Sequence, residues 1–273
     1  KLDFKSLETI RVLGSRLAGL LQDPEKRDTV KGSDIVSLVA TYARLQISWK
    51  KSRKVDQELK MWKALAVALP RMLPEMTPRE IAYLLNGFAR LDFSNSSIHS
   101  NVSQMFSATA NHLVPRIALN SNREFPPRDL GLISNAFAKI SAQTSTVSPL
   151  LKAVASAAVD QIENTNPLDL AQLLNAFAKL QVRDPPFYEA AAPEVMSKIS
   201  DFDPQGISQT AHAYGKQQVV HHALFEKIAD VSMRIMDRFL PKHLSNIAYG
   251  FGRLQVRHKK LLQSLSDEII YRG

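Results

Sequence analysis

One aromatic residue recurs along this chain at Tyr42, Phe88, Phe137, Phe177, Tyr214 and Phe251, at intervals of 46, 49, 40, 37 and 37 residues. A spacing in this range, found six times, confines the fold to an array of supersecondary units that each pack on their neighbours. Three further offsets repeat with it. Ten residues before the aromatic stands Pro78, Pro127, Pro167, Pro204 or Pro241, with Gly32 in the first copy. One residue after it is small: Ala43, Ala89, Ala138, Ala178, Gly215 and Gly252. Two residues after it is basic: Arg44, Arg90, Lys139, Lys179, Lys216 and Arg253.

Each offset has a physical reading. Proline suits the first turn of a helix, where its missing N–H costs nothing and its fixed φ helps. Glu80, Asp129 and Asp169 follow two residues later and suit the positive end of the helix dipole. In the fourth copy, Leu170, Leu173, Leu174, Phe177 and Leu180 then form one apolar stripe at helical spacing. The aromatic lies on that stripe, so it reads as core. Small neighbours such as Ala176 and Ala178 let the next helix approach closely.

This helix, called A, is followed in each copy by a second, B. B helices are predicted over about 55–71, 99–115, 146–163, 186–199, 221–239 and 258–271, and 4–21 reads as the B helix of an incomplete preceding repeat. The expected fold is all-α: a right-handed α-solenoid of about six helix-turn-helix repeats of roughly 37–49 residues, A helices on one surface and B helices on the other. As one domain over 1–273, it divides into a capping half-repeat (1–28) and repeats at about 29–74, 75–123, 124–164, 165–201, 202–238 and 239–273. Two insertions lengthen the early intervals: a basic loop from Trp49 to Lys54 and a polar loop around Asn120–Glu124.

Composition narrows the chemistry. With no cysteine there is no disulfide framework, thiolate metal site or cysteine nucleophile. His221 and His222 are adjacent and point about 100° apart on a helix, which suits one metal poorly. No nucleophile elbow, phosphate-binding glycine loop or zinc-protease helix motif occurs. Neither an enzyme activity, a cofactor nor a metal is expected. No run of 18 apolar residues is free of charge, so no membrane-spanning helix is expected. The chain starts at Lys1 rather than Met, which fits a trimmed product; a removed targeting peptide would explain it, and so would other boundaries.

The net charge of +9 points to a polyanionic partner. The excess sits at the ends: net +6 over 1–76, −1 over 77–216 and +4 over 217–273. Lys50, Lys51, Arg53 and Lys54, beside Trp49, form a loop suited to gripping phosphates and stacking a base; a solvated loop is the other reading. Arg257, Lys259 and Lys260 open the last helix against its dipole, as a cluster kept for a partner would.

Two residues before the aromatic the series reads Ala40, Asn86, Asn135, Asn175, His212 and Tyr249. Side chains of this kind hydrogen-bond a base edge or stack on it, one reader per repeat. The basic residue four positions on shares that helix face and would hold a phosphate. Both series also have structural uses. The asparagines could bond repeat to repeat, and the cations suit the negative end of the helix dipole.

Leu173-Leu174-Asn175-Ala176-Phe177-Ala178-Lys179-Leu180 resembles the core of the organellar heptatricopeptide and octotricopeptide repeats of RAP-domain proteins and FAST-kinase-domain relatives. The second copy (Leu84 to Leu91) and third (Ile133 to Ile140) match nearly as well; the fifth and sixth are looser and the first is poorest. The resemblance spans about residues 30–273, without a RAP domain. It implies a protein that binds single-stranded RNA or rRNA in the mitochondrial matrix or a plastid, among other proteins of a ribonucleoprotein such as the mitochondrial ribosome. A protein scaffold with little RNA contact is the alternative.

Overall fold

A computed structural model describes residues 4–52, 54–119, 123–140 and 147–272. All regular structure among them is helical. In chain order the α-helices are α1 (Phe4–Gln22), α2 (Gly32–Arg44), α3 (Val55–Ala68), α4 (Pro78–Leu91), α5 (His99–Ala118), α6 (Pro127–Ile140) and α7 (Val147–Val159). They continue with α8 (Pro167–Lys179), α9 (Pro185–Lys198), α10 (Pro204–Gln217), α11 (His222–Arg234), α12 (Pro241–Arg253) and α13 (Lys259–Arg272). The even-numbered helices, α2 to α12, are the A helices. Each starts on its predicted proline, or on Gly32 in the first copy. The insertion loop around Asn120 lies largely outside the described residues.

The contacts fall into two compact units, Lys1–Phe125 with Lys139–Leu150, and Pro126–Ala138 with Leu151–Gly273. Each is a solenoid-like stack of helix-turn-helix repeats. In the first, A helix α2 packs on α4, while B helices α1, α3 and α5 pack in series. In the second, α8, α10 and α12 form the A layer and α9, α11 and α13 the B layer.

The repeated aromatic is core in every copy: Tyr42, Phe88, Phe137, Phe177, Tyr214 and Phe251 are at most 1% exposed. A B-helix ring sits between two of them in each unit. Trp62 meets Tyr42 edge-on at 4.9 Å and Phe88 at 5.6 Å. Phe225 likewise meets Tyr214 at 6.4 Å and Phe251 at 4.8 Å. Burying one such side chain stabilises by about 1.5–3 kcal/mol, which ties α3 and α11 each to two A helices.

Several helix starts are held by side-chain caps, a more specific cause than the dipole. Thr77 Oγ1 accepts from the Glu80 N–H at 3.3 Å, while Glu80 Oε2 accepts from the Thr77 N–H at 2.9 Å. Asn166 and Asp203 cap α8 and α10 in the same way, accepting from the Asp169 and Gly206 N–H groups at 2.9 and 2.6 Å. The B helices have their own series at 37-residue steps. Asp184, His221 and His258 accept from the N–H three residues on, at 3.0, 3.1 and 3.0 Å. His243 also accepts from the Leu240 N–H at the start of α12, at 3.2 Å, so three of the seven histidines bond helix-start N–H groups, a role their sequence positions did not suggest.

Helix A ends in a second repeated device. The aromatic's carbonyl accepts the N–H five residues on: Ile47 to Tyr42 at 3.0 Å, Val182 to Phe177 at 3.2 Å, Val219 to Tyr214 at 3.2 Å and Val256 to Phe251 at 3.0 Å. This bond closes a Schellman turn whose C′ residue takes positive φ.

Small residues set the spacing of the A layer. A Cβ built on Gly250 would lie 2.4 Å from the Ala211 carbonyl oxygen, and one on Gly215 would lie 2.8 Å from the Gly250 Cα. A Cβ on Gly252 meets nothing within 4 Å. Gly250→Ala must therefore separate α10 from α12, and is expected to cost about 1–3 kcal/mol despite alanine's better helix propensity. Gly252→Ala, with open space, should leave stability unchanged or raise it by up to about 1 kcal/mol. Thermal denaturation of the two variants checks the pair; equal Tm values would show that the α10–α12 contact is slack.

Candidate nucleic-acid interface

The last turn of each A helix carries the basic series to the surface. Arg44, Arg90, Lys139, Lys179 and Arg253 are exposed and Lys216 is half-buried. Among the described residues Arg44, Arg90, Lys179, Lys216 and Arg253 form no ion pair, whereas Lys139 already has a partner. The unpaired cations stand at the negative end of the helix dipole.

The series two residues before the aromatic is mostly part-buried, and only Tyr249 in it is exposed. Asn86 and Asn135 are half-buried and Asn175 is 9% exposed. None of the three makes a side-chain hydrogen bond among the described residues, so no asparagine ladder joins the repeats. In the next two copies the position is aromatic. His212 of α10 and Tyr249 of α12 stack with centroids 4.9 Å apart and planes tilted by 33°. Tyr249 remains 43% exposed.

The basic and polar series meet at this ring pair. Burial, and then the charges of Lys216 and Lys179, hold the His212 imidazole below its ordinary pKa. His212 is thereby kept neutral at physiological pH, flanked by cations from α8 and α10. Two stacked rings with unpaired ammonium groups beside them offer a base a π-face and a phosphate its counter-charge.

The basic loop differs from its sequence reading. Trp49 does not stand free to stack on a base. It is 6% exposed, stacks on Phe93 at 5.5 Å and donates its indole N–H to the Leu91 carbonyl at 2.9 Å. An apolar ring with one donor is stabilised more by a core contact and a waiting carbonyl than by water. Lys50 is held by Asp92 at 2.8 Å, and Lys54 lies 3.8 Å from Glu8. The Lys50 ammonium, then the Ser94 hydroxyl, pull Asp92 down to about 2. The Lys51 side chain and all of Arg53 lie outside the described residues. Arg257, Lys259 and Lys260 are exposed at the start of α13, where His258 caps the helix.

Among the described residues no cluster of His, Asp and Glu could hold a metal ion, and no helix is long and apolar enough to cross a membrane. Comparison with curated proteins finds no match. Residues 26–272 match the family described as RESC6, RNA-editing substrate-binding complex 6 protein. What stands of the heptatricopeptide and octotricopeptide resemblance is its coarser part, an RNA-linked helical-repeat protein. Since the match covers nearly the whole chain, the protein belongs to the RNA-editing substrate-binding complex 6 family.

Proposed function

We propose that this chain is a non-catalytic RNA-binding subunit of a mitochondrial RNA-editing substrate-binding complex, holding single-stranded RNA along the A helices of its second unit. One observation carries the reading. Lys179 and Lys216 stand unpaired around the stacked His212–Tyr249 rings, with Arg253 at the same turn of the next A helix. The helix dipole alone would account for cations at helix ends. It gives no reason for a half-exposed tyrosine to stack on a neutral histidine between them. Base stacking on such rings is worth about 1–3 kcal/mol per base and requires an unpaired base.

Family membership favours an editing-substrate assembly over the ribosome as the complex, and the organellar repeat resemblance supports a mitochondrial setting. The chain's protein partners are then the other subunits of that assembly. Fluorescence anisotropy of a labelled single-stranded RNA, against the same RNA as a duplex, tests the binding mode. The single strand is expected to bind at least about tenfold tighter, one stacked base being worth that much. Equal affinity would remove base stacking from the mechanism. Sedimentation of the native assembly tests the setting: migration with ribosomal subunits would move the protein to the ribosome.

A further inference from the structure

Among the described residues, the C′ residue of five A helices is in the left-handed region, and none of the five is glycine. Gln46, Gln181, Gln218 and Gln255 have φ of 53°, 57°, 57° and 56°, and Asp92 has 53°. Glycine adopts this conformation without strain and is the common choice at such a helix end. A β-carbon there is a standing cost, taken in each of these five copies.

The fold makes no use of the glutamine side chains. All four are exposed, and among the described residues none of their carboxamides makes a hydrogen bond. Asp92 shows the contrast: its carboxylate is bound by Lys50 and Ser94. Where the side chain serves the fold it is Asp; where it is Gln it points to solvent with donor and acceptor unspent.

A recess shows what such a glutamine faces. In the first unit a hollow of about 210 Å³ is lined by Gln46 and Ile47 of one repeat and by Arg90 and Leu91 of the next. Gln46 after one A helix and Arg90 at the end of its neighbour thus border one concavity. The same offsets pair Gln181 with Lys216 and Gln218 with Arg253 in the second unit. Adjacent packed helices lie about 8–10 Å apart, a step compatible with one splayed nucleotide per repeat.

We propose that the left-handed glutamines Gln181, Gln218 and Gln255 read base edges of single-stranded RNA, each carboxamide giving and accepting one hydrogen bond while the basic series holds the backbone. The proposal rests on the RNA-binding reading above. An amide presents donor and acceptor side by side, the pattern a base edge needs, whereas a cation alone fixes position without reading sequence.

The test exploits the strain. RNA is selected from a random single-stranded pool on the wild-type chain, then bound to the triple variant Gln181→Gly, Gln218→Gly, Gln255→Gly. The melting temperature should stay level or rise, because glycine relieves the left-handed strain. Affinity for the selected RNA should fall about ten- to a hundredfold, towards that for unrelated RNA. The salt dependence should not change, because the cations remain. A variant that keeps both affinity and preference overturns the proposal and leaves the RNA reading standing; a wild-type chain that binds no RNA overturns both. If the glycine variant melts several degrees lower, the triple Gln→Asn variant decides. Asparagine tolerates positive φ but is one methylene shorter. Its binding should also weaken, and wild-type binding by it overturns the proposal.

Discussion

Phe177→Ala is expected to destabilise the second unit by about 3–5 kcal/mol, the range for emptying a buried aromatic site. Phe177 is fully buried and stacks on Phe187 of α9 at 4.7 Å, with planes 27° apart. Its carbonyl accepts two bonds, from the Val182 N–H at 3.2 Å and from Gln217 Nε2 of the next repeat, also at 3.2 Å. The ring therefore sits where helix A, helix B and the following A helix converge. In a repeat array such a loss opens the affected repeats before the rest. Urea denaturation followed by circular dichroism measures it. A loss under about 1 kcal/mol would show that the aromatic series is not the core of the repeat.

The second large effect concerns affinity. Replacing Lys179, Lys216 and Arg253 together by Ala should weaken binding of any single-stranded RNA by about 50-fold at roughly 0.15 M salt. The slope of log K against log salt should become shallower by about 2, from some 0.7 per phosphate released. All three lie in the last turn of an A helix and hold no protein carboxylate, so their charge is available to RNA. Removing them also takes about 0.3–1 kcal/mol each of dipole stabilisation, too little to unfold the unit. Lys50→Ala with Lys54→Ala should do less, because Asp92 and Glu8 already oppose those charges. Titration over a salt series compares the two variants. If the triple variant loses less than about threefold and keeps its slope, RNA does not follow this edge.

The two variants also separate what sequence pattern carries from what it does not. Phe177 as core was legible because the apolar stripe from Leu170 to Leu180 and the proline ten residues upstream are local signals. Helix starts, the buried aromatic and the exposed cation all follow from helical periodicity within one repeat. Trp49 was not legible. Next to four cations it looks like part of a phosphate-gripping loop, and only the chain some 40 residues on, at Leu91 and Phe93, supplies the carbonyl and ring that bury it. The same long-range cause pairs Lys50 with Asp92.

The left-handed glutamines mark the boundary most clearly. Their spacing is visible in the sequence, yet a Gln after a helix carries no sign of positive φ. The Schellman turn imposes it through a bond from the isoleucine or valine that follows back to the aromatic carbonyl. Sequence alone determined the repeat, its helices and which face of helix A is apolar, because side-chain periodicity encodes burial directly. Only the tertiary structure decided which polar side chains are used up inside the fold and which remain free. Hydrogen-bond partners and counter-charges come from the neighbouring repeat, and a one-dimensional pattern does not record which neighbour reaches them.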